Sequence, residues 1–237
     1  MSASYKRILL KLSGEILAGS EKFGLDYASV SDVCGEIAQV AGAGIEVAMV
    51  VGGGNYIRGA QAVDHGMDRV QADQMGMLAT VINALALQTA LEGLGRPTRV
   101  QTAIEMRAIA EPFITRRAVR HLEKGRIVIF AAGTGSPFFS TDTAAALRAS
   151  EINADCLLKA TKVDGIYDSD PEKNSDAKFL PRVSFAEARQ KRLKIMDAAA
   201  FSLCEDNKMP IVVFNVRRPG NIAGILLRDE RIGSVVS

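Results

Sequence analysis

Apolar positions along the 237-residue chain follow two alternating patterns. Short runs rich in Ile and Val, apolar on successive residues, are separated by longer stretches in which apolar residues recur every three or four positions. Continuous short runs suit strands buried on both faces of a parallel sheet, and the 3.6-residue period suits helices that cover such a sheet. Segments 7–12 (RILLKL), 45–51 (IEVAMVV), 98–101, 126–131 (RIVIFA), 156–159 and 211–215 (IVVFN) predict strands. Val30, Val33, Ile37 and Val40 mark one helix face, which Gly42 and Gly44 end. Segment 70–91 predicts a second helix with Met77, Leu78, Val81, Ile82 and Leu85 turned inward, and further helices are expected over 114–123, 143–150, 185–189 and 196–204. This alternation predicts an α/β fold around a mostly parallel sheet, whose ligand loops directly follow the strands. Segment 164–181 (DGIYDSDPEKNSDAKFLP) breaks the rhythm: it is acidic and rich in turn formers, and reads as either a functional lid or a plain mobile loop. With no internal repeat and no Pro/Ser-rich linker, 1–237 reads as a single domain.

Composition narrows the chemistry. Hydrophobic residues make up 48% and charged residues 24%, and 29 Lys+Arg against 27 Asp+Glu leave +2, as in an ordinary globular protein. The positive charges are scattered among negatives, so nucleic acid is not an expected partner. Cys34, Cys156 and Cys204 lie far apart without a CxxC spacing and read as reduced thiols. With only His65 and His121 present, His-rich zinc motifs are absent and a Ser-His-Asp triad is disfavoured, which leaves Lys, Arg, Asp and backbone groups for chemistry. Charges at Lys6, Arg7 and Lys11 interrupt the apolar start, and the runs at AMVV and IVIFAA end in glycine. No signal peptide or membrane span is therefore expected, and a cytoplasmic location is.

Four loops after predicted strands carry candidate chemistry. Lys11 lies inside an apolar strand and precedes Ser13-Gly14; a lysine there needs an anionic partner, unless the strand is at an edge and the side chain snorkels. Gly52-Gly53-Gly54, followed by Asn55 and Arg58, lets backbone N–H groups approach an anion that Arg58 can clamp, although a glycine triplet is also a common tight turn. Gly133 to Asp142 joins glycines and hydroxyls to a carboxylate at a helix start, where Asp142 taken alone reads as an N-cap. Lys159, Thr161, Lys162, Tyr167 and Asp170 suit a nucleotide with charged phosphates and a stackable base. Neither GxxxxGK[ST] nor a strand-following GxGxxG occurs, and the protein-kinase motifs are missing. Lysines facing glycine loops point to phosphoryl transfer by positioning and charge neutralisation.

The motifs KLSGE, GGGN with Arg58, DQMGMLAT from Asp73, AAGTGSPFFSTD, LKATKVDGIYDSDP and KIMDAAAF together resemble the amino acid kinase superfamily, and within it the bacterial UMP kinase family. The resemblance runs from Tyr5 to Gly220 and implies a three-layer α/β/α sandwich whose first half, about 1–154, binds UMP and whose second, about 155–237, binds ATP. It implies transfer of the γ-phosphoryl of ATP to UMP in pyrimidine nucleotide synthesis, with Mg²⁺ carried by ATP and no metal ligands of the protein's own. Lys11, Arg58, Asp142 and Asp197 would be catalytic, with either Lys159 or Lys162 as the second lysine. Lys11, Leu12, Ser13, Gly14, Gly54, Arg58, Thr161, Lys162, Tyr167 and Asp170 would bind ATP. Gly53, Asp73, Thr134, Gly135, Ser136, Pro137, Phe138, Phe139, Ser140 and Thr141 would bind UMP, with Asp73 accepting from the ribose hydroxyls. The resemblance further implies a homohexamer built from dimers, activated by GTP and inhibited by UTP. Gly19, Ser20, Glu21, Lys22, Phe23 and Gly24 match the region tied to GTP activation. Ser136 and Ser140 stand where many relatives have Asn and Thr, and 101–113 follows no family pattern.

Overall fold

Alternation of apolar side chains along the central strands decides the architecture, because successive residues must be buried on opposite sides of the sheet. A computed structural model gives the structure, which describes residues 5–21, 23–57, 66–171, 173–174 and 176–237. Its strands are β1 (Arg7–Leu12), β2 (Glu46–Val51), β3 (Thr98–Thr102), β4 (Glu111–Pro112), β5 (Ile127–Ala131), β6 (Cys156–Thr161), β7 (Ile166–Tyr167), β8 (Phe179–Leu180), β9 (Arg182–Val183), β10 (Ile211–Asn215) and β11 (Ser234–Val236). Among the described residues the main sheet runs β4-β3-β5-β2-β1-β6-β10-β11-β9. Every neighbouring pair is parallel except β10 with β11.

The helices are α1 (Gly14–Leu17), α2 (Tyr27–Gly42), α3 (Arg69–Gly93), α4 (Thr115–Glu123), α5 (Thr141–Glu151), α6 (Phe185–Gln190), α7 (Ala198–Asp206) and α8 (Asn221–Leu227). Ile8, Leu10 and Leu12 of β1 bury one way with α2, α3 and α8. Leu9 buries the other way with α4, α5, α6 and α7. Two cores on either side of one sheet make the expected three layers, each fully buried aliphatic side chain contributing about 1.5–3 kcal/mol. Short polar side chains start the helices: Asp26, Asp68, Ser140, Ser184 and Asp197 each accept a hydrogen bond from a first-turn N–H.

Several expectations change. Leu78 and Ile82 are 51% and 48% exposed, because α3 turns only part of its apolar surface to the sheet. That helix is long and apolar enough to cross a membrane by length and composition, contrary to the sequence reading, but Met77, Val81, Leu87 and Leu91 pack in the core. The last long helix starts at Ala198, not at 196, with Asp197 as its cap. Segment 164–181 is not plain loop throughout, since Ile166 and Tyr167 pair antiparallel with Leu180 and Phe179.

Candidate active site

The strand order reverses at β1: β2 lies on one side of it, and β6, much later in the chain, on the other. Such a switch point opens a crevice at the carboxyl ends of the strands. There the register sets Lys11 of β1 directly beside Lys159 of β6. Leu9 and Leu157, two residues earlier on each strand, belong to the core under α5, so both lysines emerge on the α5 side. β1 is central, which removes the reading of Lys11 as an edge lysine.

Asp142, in the first turn of α5, joins the two lysines. Lys159 Nζ donates to its Oδ2 at 2.6 Å. Lys11 Nζ lies 2.9 Å from Oδ1 as an ion pair whose angles fall outside an aligned hydrogen bond. The three side chains are only 13–14% exposed. Burial by itself would raise the Asp142 carboxyl, but the charges of Lys11 and Lys159 and the hydrogen bond from Lys159 outweigh it and hold the group below the ordinary carboxylate value. Burial lowers the Lys159 ammonium, and the neighbouring Lys11 charge adds to that against the opposing pull of Asp142. A further anion between these cations would relieve their repulsion, so the pair is prepared for phosphate.

Asp142 is not the N-cap that the sequence suggested. Ser140 takes that role, its hydroxyl accepting from the N–H groups of Asp142 at 3.0 Å and Thr143 at 3.1 Å. The Asp142 carboxylate is thereby left to the lysines. Asp197 lies behind this turn: it accepts from the hydroxyls of Ser140 and Thr143 and caps α7 through the Ala200 N–H at 3.0 Å. Those bonds tie the start of α5 to the start of α7 and make Asp197 a buttress of the site.

The glycine loop wraps the end of β1. A Cβ on Gly14 would meet Asn55 Oδ1 at 2.4 Å and the Gly52 carbonyl at 2.6 Å, and one on Gly53 would meet the Gly76 carbonyl at 2.5 Å. Those two glycines therefore serve close packing of loop and helix, while Gly54 keeps an open face toward Glu15. Leu12 is fully buried in the opposite core, so it can offer a ligand only backbone. Ser13 caps α1 by accepting from the Glu15 N–H at 3.2 Å.

Two cavities flank the lysine pair. One of about 300 Å³ lies between Gly53 and Gly54, the α3 residues Arg69, Asp73 and Thr80, and Thr134, Ser136, Phe139, Ser140 and Thr141. Of the other residues expected there, Gly135 packs its α-carbon against Ala103, and Phe138 lies beneath Arg69 and is 65% exposed. Asp73 accepts from the Phe138 N–H at 2.7 Å and pairs with Arg69 at 2.8 Å. The second cavity, about 660 Å³, is lined by Lys159, Thr161, Tyr167 and Asp170 together with Val163, Ile166 and Ile195. Lys162 is not among its walls: it pairs with Glu15 at 2.5 Å, beside a separate cavity that includes Gly19, Ser20, Glu21 and Phe23. Of the two candidate second lysines, Lys159 is the one at Asp142. Arg58 and Lys22 lie outside the described residues. Segment 101–113 forms the β3 end, the edge strand β4 and part of a distinct cavity with Arg99, Arg107 and Arg117. The roles of Thr80, the last residue of the DQMGMLAT motif, and of Asn83 were missed by sequence reading; both are polar residues in an apolar helix, and the structure buries them. Among the described residues no group of three or more His, Cys, Asp and Glu side chains converges as a metal site.

Comparison with known proteins agrees with this arrangement. Residues 6–215 match the amino acid kinase family. The crystal structure of UMP kinase from Bacillus anthracis superposes with a TM-score of 0.95 at 40% identity, over 98% of this chain and 96% of that one. UMP kinase from Ureaplasma parvum gives 0.92 at 38% identity, over 98% of both chains. Uridylate kinase from Archaeoglobus fulgidus gives 0.75 at 27% identity, over 97% of this chain and 99% of that one. With its three-layer sheet, its paired lysines at the switch point and a match spanning nearly its whole length, the chain belongs to the amino acid kinase family.

Proposed function

We propose that the protein is an ATP-dependent UMP kinase that converts ATP and UMP to ADP and UDP. The observation that carries this reading is the Lys11–Asp142–Lys159 cluster standing between two cavities at the switch point. The relatives named UMP kinases support the choice of acceptor. UMP would occupy the smaller cavity, with uracil and phosphate against Thr134, Gly135, Ser136, Pro137, Phe138, Phe139, Ser140 and Thr141, and ribose at Asp73. ATP would place its base and ribose near Thr161, Tyr167 and Asp170, and its phosphates along Lys11, Leu12, Ser13, Gly14 and Gly54. Mg²⁺ would arrive on the triphosphate as part of the substrate.

In the reaction an oxygen of the UMP phosphate forms a bond to the γ-phosphorus as the bond from that phosphorus to the β,γ-bridging oxygen breaks, and ADP leaves with the electron pair. Lys11 and Lys159 would neutralise the oxygens of the group in transit, Asp142 would hold both ammonium groups in place, and Asp197 would steady the α5 turn. Arg58 would clamp phosphate, as the resemblance implies, and Lys162, paired with Glu15, would act farther out.

The same reading includes a role in cytoplasmic pyrimidine nucleotide synthesis, a homohexamer built from dimers, activation by GTP and inhibition by UTP. The segment proposed for GTP control, Gly19 to Gly24, is linked to the glycine loop by mutual hydrogen bonds between Gly24 and Asn55. An ADP-release assay with ATP and Mg²⁺ against UMP, CMP, dTMP, AMP, GMP, carbamate, acetylglutamate, glutamate and aspartate tests the acceptor. Turnover with UMP is the expected outcome; turnover with a carboxylate or carbamate and none with UMP refutes it. Repeating the UMP assay with added GTP and with added UTP tests control, and an unchanged rate removes that part of the reading.

A further inference from the structure

The two loops that face each other across the smaller cavity both hang from α3. Asn83, fully buried, donates from Nδ2 to the Gly52 carbonyl at 2.7 Å and exchanges amide hydrogen bonds with Asn55 at 2.7 and 3.0 Å. Three residues earlier, Thr80 is 6% exposed; its hydroxyl donates to the Met77 carbonyl at 2.7 Å and accepts from the Ala132 N–H at 2.7 Å. Ala132 has φ +61°, a left-handed conformation that side-chain-bearing residues rarely adopt, and Gly133, Gly135 and Phe138 also have positive φ. A loop folded this way persists only where its surroundings over-determine it. Thr80 holds the loop where it leaves β5, and Asp73, two turns back along α3, holds the Phe138 N–H.

We infer that Thr80 is a positioning residue for the acceptor: with Asn83 holding the glycine loop, its hydroxyl fixes the distance between Gly53–Gly54 and the Ala132–Phe138 loop. The inference rests on the proposed UMP kinase reading and adds to it a residue outside the family motifs' charged and glycine positions. Thr80→Val keeps the shape of the side chain and removes the acceptor that the Ala132 N–H needs; Thr80→Ser keeps that acceptor.

The test is steady-state kinetics on the full chain with UMP and ATP varied separately, with folding followed by circular dichroism. Turnover of UMP by the unaltered protein checks the underlying function, and the variants check the positioning. For Thr80→Val a rise of about tenfold in the KM for UMP is expected, with the KM for ATP within about twofold and Thr80→Ser close to the unaltered protein. A Thr80→Val protein that melts earlier but keeps both KM values within about twofold overturns the inference, leaving Thr80 a packing residue. Should the valine variant not fold, Thr80→Ser decides: UMP binding close to the unaltered protein is expected, and a loss of about tenfold overturns it.

Discussion

Lys11 and Lys159 stand side by side in the register of two parallel strands and share the carboxylate of Asp142 between them. Two ammonium groups that share one carboxylate, with Asp197 acting on Lys159 from behind, form a site that can receive a further anion. A phosphoryl group in transit, which spreads its charge over three oxygens, supplies that anion.

Removing either lysine should therefore cost rate more than affinity. Lys11→Ala and Lys159→Ala are each expected to lower kcat by roughly 10²–10³, with modest change in either KM, because the missing charge counts most in the transition state. The double variant should lose far less than the product of the two single losses, since the pair acts as a unit. Steady-state kinetics of the three variants measures this; a single variant within a few-fold of the unaltered protein refutes the assignment.

Asp142 gives the cluster a pH signature. Its carboxyl titrates below the ordinary value of 3.8 in the folded protein, so the folded state holds the proton less readily than the unfolded chain. The stabilisation is complete above that ordinary value and is lost as pH falls through the lower, folded one. Denaturant melts across the acid range should show the unaltered protein weakening on this descent and Asp142→Asn, already weaker at neutral pH, weakening less steeply. Parallel acid profiles for the two proteins would count against the ion cluster.

Lys162 serves as the internal control for Lys159. It is 40% exposed and paired with Glu15, outside the lysine pair, so Lys162→Ala should change kcat by less than about tenfold. A loss matching that of Lys159→Ala would move the second catalytic charge to Lys162.

Asp73→Asn should act on the acceptor. An amide keeps one oxygen for the Phe138 N–H but loses the charge that holds Arg69. The expected result is a rise of several-fold to tenfold in the KM for UMP, with the KM for ATP little changed. A change confined to ATP would reverse the assignment of the two halves.

The sheet was readable because buried parallel strands announce themselves: segments 7–12 and 211–215 coincide with β1 and β10. Leu78 and Ile82 were misplaced because a helical period does not say how wide a stripe the sheet covers, and α3 is apolar on more of its surface than it buries. Lys11 and Asp142 could be singled out as charges out of place, one in a strand and one at a helix start. Which of Lys159 and Lys162 joins them depended on strand alternation: Lys159 lies in register with Lys11, whereas Lys162, beyond the end of β6, reaches Glu15. The roles of Thr80 and Asn83 could not be read in the same way because they lie in which groups the two side chains meet, and those come from loops 28–52 residues away.

The three free cysteines are all buried, and burial pushes the thiols of Cys34 and Cys204 up to about 12 and raises Cys156 as well. At neutral pH the reactive thiolate of the three is scarce, and none of them is open to reagent. A cysteine placed on the surface, for instance beside Tyr167 or Phe138, would then be the one position a maleimide dye modifies, so nucleotide binding at the neighbouring cavities could be followed by fluorescence without first stripping the native sulfurs from the core.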